Sequence, residues 1–326
     1  MLLNTHDDLP HPVPPAAFLR YKENYFFILF SPATGVFGLS HLNFEPGFDR
    51  GRFSCTLSVR GKLIKYANQI PFPQDFALTR EIGDGRLSVA FVEPHGRFDM
   101  RLESDDVELD VVFTRRQSTF DFGACRSAAP DMPTFQEVMT LGLNLPYNHH
   151  QQGLSVKGRL RLKDGGETIA IEGYGYRDHS WSMRSDNLVK EHTWCGFNFP
   201  SLTIGSKTIQ TLHRPGLVAR EGYVADADGP RAFRAIATRA VGDGPDGLPA
   251  KLVHELVDVF GRAYTIESDV AERLAHVPLY SEVPSSNGDV YHVVENFCRC
   301  RLKETGEEGI ALIELGRSSR VGGAFQ

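Results

Sequence analysis

Little in this chain points to a nucleotide, a nucleic acid or a membrane. No G-x-G-x-x-G precedes a helical pattern, and neither G-x-x-x-x-G-K-[ST] nor G-x-S-x-G occurs, so nucleotide-dependent and ordinary esterase chemistry lack their usual signatures. Basic residues are not in excess: 35 Lys and Arg against 41 Asp and Glu leave a net charge of −6, without the electrostatic footprint of a nucleic-acid partner. Cysteine is sparse and odd in number. The five, Cys55, Cys125, Cys195, Cys298 and Cys300, suit a reducing compartment better than a disulfide framework. The polar, proline-rich stretch Met1–Arg20 has no basic start followed by an apolar core, so a secretory signal is not expected. The first strongly apolar run, Tyr25–Phe30, is far too short to cross a bilayer and reads as a central strand. A cytoplasmic location without stable membrane insertion is therefore the expectation.

What is present suits β-structure. The 22 Phe and 31 Gly fit aromatic-rich strands joined by glycine turns, and 41% hydrophobic residues support a packed core. Phe53, Cys55, Leu57 and Val59 alternate with Arg52, Ser54, Thr56 and Ser58, as in a strand with one wet face. Further strands are predicted at Leu87–Val92, Val107–Phe113, Val156–Leu162, Thr193–Phe199, Gln210–Leu212, Arg231–Thr238, Leu252–Phe260, Val290–Leu302 and Ile310–Leu315. Turn chemistry at Gly83-Asp84-Gly85, Pro94-His95-Gly96, Asp164-Gly165-Gly166, Asp226–Gly229 and Gly242–Gly247 separates many of them. Helical spacing is confined to Glu267–Val277 and Met132–Met139. A chain of 326 residues is long for one domain, and two all-β domains are expected, 15–186 and 187–320.

The densest chemistry is Gly173-Tyr174-Gly175-Tyr176-Arg177-Asp178-His179-Ser180-Trp181, at the end of a predicted strand. Both tryptophans, Trp181 and Trp194, flank the domain junction. Arg177–Trp181, together with His192-Thr193-Trp194-Cys195-Gly196-Phe197 and His149-His150-Gln151-Gln152-Gly153, resembles the tandem lipocalin-like superfamily of carotenoid 1,2-hydratases, AttH-like proteins and lipocalin-like pericyclases, in an uncharacterised bacterial branch. Many hydratase-type members carry a Trp/Met-Asp-His-Glu-Trp-like motif at the first place, where this chain has Ser180 for Glu. The resemblance implies two lipocalin-like antiparallel barrels or sandwiches. It also implies a pocket between them that needs no cofactor or metal and receives a hydrophobic isoprenoid, steroid-like or polyketide substrate.

Asp178 is the candidate Brønsted acid: desolvation among Tyr174, Tyr176, Trp181 and Trp194 would hold its carboxyl protonated. The alternative is an ion pair with Arg177 or Arg184 that only ties the structure together. His179 points to the opposite face of the strand, so it acts in a different shell or is a core histidine satisfied by backbone or Glu172. With Tyr176, these two make the catalytic set. Trp194, Phe197, Trp181, Tyr174, His150 and Glu295 are the candidate substrate-binding residues, and Arg177 and Arg184 the structural ones, with Trp181 read as a plug under one of the two arginines. Cation stabilisation by the aromatic rings amounts to up to ~2 kcal/mol when desolvated. A metal site using His149, His150, His179 and His192 is disfavoured, because adjacent strand residues face opposite sides. Cys298 and Cys300 read as small core residues, and Glu314, like Glu295, as a carboxylate in an apolar strand that faces outward or serves as a second acid or base or as the partner of an arginine.

The leading function is a cofactor-independent lyase or isomerase of hydratase or cyclase type, acting by acid catalysis on a hydrophobic small molecule. A non-catalytic carrier of such molecules needs the same aromatic wall and no acid, and a structural or interaction protein would need neither. A homodimer is compatible with all three.

Overall fold

The structure is a computed structural model and describes residues 4–139, 147–183, 189–212, 216–284 and 290–319. Contacts divide the chain into two compact units, Met1–Thr119 with Tyr147–Arg184, and Phe120–Pro146 with Ser185–Gln326.

The first unit is one antiparallel sheet. Its strands are β1 (Tyr21–Ser31), β2 (Val36–Glu45), β3 (Arg50–Val59), β4 (Lys62–Ile70), β5 (Glu81–Gly83), β6 (Leu87–Glu93), β7 (Arg97–Glu103) and β8 (Val107–Arg115). After β9 (Phe120–Asp121), which falls in the other unit's segment, come β10 (Tyr147–Leu162) and β11 (Thr168–Met183). The order is β4-β3-β2-β1-β11-β10-β8-β7-β6-β5, so the chain's first and last strands of this unit meet at the centre of the sheet. The sheet curls into a half-barrel around alternating apolar residues, among them Phe27, Leu29, Phe53, Val89, Phe91, Phe98, Val111, Phe113 and Leu154. Its two ends are tied by side chains: Tyr66 Oη and Asn68 Nδ2 on β4 donate to Asp84, in the turn after β5, at 2.5 and 3.0 Å.

The second unit comprises β9, the short helices α1 (Ala124–Ala128) and α2 (Phe135–Met139), and strands β12 (Val189–Asn198), β13 (Thr203–Thr211), β14 (Val218–Asp226), β15 (Gly229–Asp243), β16 (Pro249–Asp258), β17 (Ala263–Asp269), β18 (Ala275–Pro284), β19 (Val290–Leu302) and β20 (Glu308–Ser319). Pairing of β17 with β19 closes β17-β16-β15-β14-β13-β12-β20-β19 into an eight-stranded barrel, with β18 added on β19. Cys195, Phe197, Phe199, Ile204, Val224, Leu256, Ile266, Cys298, Cys300 and Ile313 fill it. Both cysteines of the C-x-C pair are thus core residues.

Two expectations change. The segment 120–139 packs on the outside of the second barrel instead of completing a continuous domain 15–186. Phe120 stacks on Tyr223 at 4.6 Å, and Val138 joins Val189, Ile209 and Ala219. Lys207, fully buried, sits between the rings of Phe122 and Phe135 at 3.8 and 4.0 Å, with Glu221 at 3.2 Å. The helical spacing in Glu267–Val277 is carried instead by the end of β17, a turn and the start of β18, where Leu274 N donates to Phe297 O at 2.7 Å. Sheet pairing decided there over a short apolar period. By contrast, α2 falls inside Met132–Met139.

Close packing of β11 on β1 sets a backbone requirement at Gly173, where a Cβ would run into the carbonyl oxygen of Phe30. A backbone oxygen can yield only by disturbing the β1–β11 pairing. Gly173→Ala is expected to lower unfolding stability by about 1–3 kcal/mol, the usual cost of overpacking, read as a shifted urea midpoint with unchanged slope.

Candidate functional site

The pleat of β11 sends Arg177, His179 and Trp181 toward the interior of the first unit and Tyr176, Asp178 and Ser180 to its outer face. The interior assignment follows from neighbours: the Arg177 guanidinium lies over the Phe98 ring at 4.8 Å, and the His179 ring stacks on Tyr25 at 4.1 Å.

On the interior side, Glu23 of β1 is the hub. This wholly buried carboxylate accepts from Tyr21 Oη and Tyr25 Oη at 2.9 Å and from the His11 backbone N at 3.1 Å, and it faces His11 Nδ1 and His179 Nε2 at 2.9 Å each. Burial pushes its carboxyl upward, yet the hydrogen bonds from His11 and His179 outweigh that and hold it at about 2. His11 stacks face to face on Trp181 at 4.0 Å, and Val13, Ala17, Tyr21 and Met183 complete the cover around that indole. Arg177 forms an ion pair with Asp8 at 2.5 Å and donates from Nε to Gln152 Oε1 at 2.9 Å, while the His95 backbone N donates to Asp8 at 2.5 Å.

The arrangement is a polar plug sealed by the N-terminal stretch. The plug role expected for Trp181 is met by different partners, because its ring is covered by His11 and not by an arginine. His179 is held by Glu23 through Nε2, its Nδ1 being buried without a hydrogen-bond partner among the described residues, whereas Glu172 is exposed and pairs with Lys157 at 3.1 Å. His11, Glu23 and His179 form the one trio among the described residues whose donor atoms, all within 4.8 Å of one another, could hold a cation; hydrogen bonds within the trio already occupy those atoms.

On the outer face, Asp178 Oδ2 contacts His149 Nε2 and accepts from Gln151 Nε2 at 2.7 Å. Gln151 is oriented in turn by Tyr176, whose hydroxyl donates to Gln151 Oε1 at 2.7 Å. The register explains this convergence: Gln151 is directly opposite Asp178 and His149 opposite Ser180. Beyond Ser180 the same row continues into Asn24 and Asn43, with His41 Nε2 at 3.2 Å from Asn24 Oδ1. Asp178 retains some solvent access, 12% of its side chain against 4% for His149. On the interior side Asp8, Glu23, Arg177 and His179 have 1% or less, while His11 at the rim of that cluster has 17%.

The other expected residues are dispersed. His150 faces inward beside Trp181 at 5.0 Å, and burial, with His179 and Arg177 nearby, drives it down to about 2. Tyr174 lies under the Arg116 guanidinium at 4.8 Å. Phe197 is in the barrel core of the second unit. Trp194 and Glu295 each stand opposite Glu314 on the outer face of that barrel. Arg184 lies outside the described residues. The sequence reading passed over Glu23, Asp8, His11 and Gln151, although Tyr21, Glu23 and Tyr25 at period two inside an apolar strand marked a carboxylate that had to find donors. Two hollows among the described residues, of about 900 and 190 Å3, are lined by Arg86, Arg101, Glu108 and Arg159 in one case and by Met132, Phe233 and Ile236 in the other, and neither contains an expected site residue.

A sequence profile described only as a domain of unknown function, DUF7064, matches residues 4–319. The chain belongs to the DUF7064 family. No curated protein matches this DUF7064 member. Among solved structures it is similar to a Nitrosomonas europaea protein described as an AttH candidate, at 17% identity and TM-score 0.62, over 91% of this chain and 92% of that one. Kievitone hydratase from Nectria haematococca is similar at 10% identity and TM-score 0.58, over 92% and 89%. CghA is similar at 8% identity and TM-score 0.61, over 97% and 95%. The tandem lipocalin-like fold is therefore shared, and a hydratase is among its users. Among the described residues no helix is long and apolar enough to cross a membrane.

The buried histidines give the DUF7064 chain a definite acid response. Burial holds His179 and His254 at about 4 and His150 at about 2, from an ordinary 6.5, so the unfolded chain takes up these protons first. Stability is full above about pH 6.5 and falls as pH drops toward 4; Glu23, ordinarily near 4.5 and held at about 2, adds a second loss across that lower interval. Urea midpoints measured from pH 8 to 3 should decline in this way. In His179→Gln the decline between pH 6.5 and 4 should be shallower.

Proposed function

We propose that this protein is a cofactor-independent lyase or isomerase, of hydratase or cyclase type, in which the Asp178–His149 pair performs proton transfer on a hydrophobic, oxygen-bearing small molecule. The observation that carries the reading is the contact of His149 Nε2 with Asp178 Oδ2, on the outer face of β11 and fixed by the Tyr176–Gln151 bridge. A carboxylate touching an imidazole holds its ring and stabilises the imidazolium, so the pair has the parts to give and take one proton. This shifts the acid from Asp178 acting alone by desolvation to His149 acting with Asp178. Arg177 does not compete for the carboxylate, being engaged by Asp8 in the interior.

In a hydration, His149 donates its proton to the substrate's conjugated carbonyl or alkene, water adds to the resulting electron-poor carbon, and the proton lost from that water returns to His149. No net proton is consumed. In a cyclisation an internal hydroxyl or alkene takes the place of water. The fold shared with a hydratase supports this class at the level of scaffold, while the site residues supply the chemical argument. Isoprenoid, steroid-like and polyketide skeletons are the substrate classes to test, with a cytoplasmic pool of such compounds as the source.

Carriage without chemistry is the second reading. Ser180, occupying the position where many hydratase-type relatives have Glu, favours it by leaving the β11 motif with one carboxylate. A panel of hydrophobic enones and alkenes, followed by mass spectrometry for water addition or isomerisation, separates the two. Wild type should convert at least one compound, and Asp178→Asn and His149→Asn should each lower kcat about 10²–10⁴-fold with an unchanged unfolding midpoint. Tight binding of panel members with no conversion, equal in wild type and Asp178→Asn, would establish the carrier instead.

A further inference from the structure

Two short 3₁₀ turns of the first unit carry apolar side chains that neither the sheet nor the plug covers. Pro15–Arg20 leads into β1, and Pro46–Phe48 joins β2 to β3. The turns lie against each other, since a Cβ on Gly47 would run into the Leu19 backbone. Ala17 faces inward and packs with Tyr21 and Trp181. Its neighbours face out: Phe18 is 46% exposed, Leu19 76% and, across the junction, Phe48 65%. Single exposed apolar residues are ordinary on a protein surface, but three at the meeting of two turns form a patch, and patches mark contact with another body.

Shape and charge indicate what that body is. Exposures this high belong to side chains that project from a surface, not to the walls of a groove, and the exposed Pro14, Pro15 and Ala16 adjoin them in the chain. Residues 15–22 and 45–52 carry Arg20, Lys22, Arg50 and Arg52 against Glu45 and Asp49, a local positive excess in a chain whose net charge is −6. Glu45 accepts from Arg50 Nε at 2.8 Å and from Arg52 Nη2 at 2.7 Å, and one carboxylate cannot neutralise two guanidiniums. The Arg50 guanidinium also lies over the Phe48 ring at 4.8 Å, so cationic and apolar groups are interleaved. Two copies of the chain meeting through this patch would set arginines against arginines, which costs affinity. An anionic leaflet is complementary on both counts: its acyl boundary takes the apolar side chains, and its phosphates take the basic ones.

We propose that the Phe18–Leu19–Phe48 patch docks the protein on the surface of an anionic lipid bilayer. Leu19 and Phe48 enter the acyl boundary, and Arg20, Lys22 and the two arginines of the second turn face the lipid phosphates. The docking is interfacial and reversible, held by a few side chains and not by a span. Each basic side chain near an anionic leaflet strengthens binding about fivefold, so lipid charge decides whether three apolar side chains suffice. The inference does not rest on the role given to Asp178.

The test is co-sedimentation of the full chain with vesicles of phosphatidylcholine alone and of phosphatidylcholine mixed about 2:1 with phosphatidylserine. Wild type should bind the anionic vesicles at least fivefold more tightly than the neutral ones, with the difference shrinking as salt is raised. Leu19→Ser combined with Phe48→Ser should weaken binding to the anionic vesicles at least tenfold with an unchanged urea midpoint, since both side chains are exposed. Arg20→Gln should weaken it about fivefold and leave neutral vesicles unaffected. Equal affinity of wild type for the two vesicle types, or sedimentation with neither, overturns the proposal without any variant. So does full binding by the folded double variant. A wild-type dimer in sedimentation velocity that the double variant loses, with no vesicle binding, also overturns it and gives the patch to a second copy of the chain.

Discussion

The pleat of β11 is the constraint on which the rest of the first unit depends. Five consecutive residues, Arg177 to Trp181, carry a guanidinium, a carboxylate, an imidazole, a hydroxyl and an indole, and a strand can send them only alternately to its two sides. The interior side commits Arg177, His179 and Trp181 to a sealed plug around Glu23 and Asp8. The outer side leaves Asp178 to be met by His149 and Gln151 from β10. The motif is thus two networks interleaved in one strand, with opposite demands on water. The plug must exclude it, because an unpaired buried charge is expensive; the proton transfer proposed for the Asp178 pair would need some of it.

Burial explains why the two networks differ chemically. Glu23 collects so many donors that its charge is fixed across the ordinary pH range, and a group whose charge is fixed is poorly suited to acid–base work. His179 beside it, and His150 next to that ring, are held neutral for the opposite reason, lack of solvent for their cations.

Much of the fold was legible in the sequence, because alternation over a handful of residues is a local signal. Val290–Leu302 was predicted to the residue, and β3, β6, β8 and β20 fall on the predicted runs. The site was legible only in part. Asp178 stands out from its own neighbours, but its partners His149 and Gln151 are set by the β10–β11 register, and register is a tertiary fact. The same holds for Asp8, His11 and Glu23, whose stretch looks like a polar N-terminal tail until Arg177 and Trp181 are placed next to it. The segment 120–139 gave no local sign of which barrel it would cover, since its attachment depends on Lys207 finding two aromatic rings and one carboxylate.

The two sheets also differ in what they offer to other chains. In the second barrel the ring of eight strands closes on itself, and the edge that is left belongs to β18, added on β19. The half-barrel ends at β4 and β5, and these ends are protected differently. β5 spans only Glu81–Gly83, and β4 carries Lys62 and Lys65 and is strapped to the β5 turn through Tyr66 and Asp84. The bonds from Tyr66 and Asn68 to Asp84 thus have a role unrelated to catalysis or core packing: they draw the two rims of an open sheet together, and covering an exposed edge is one way a sheet avoids adding a foreign strand.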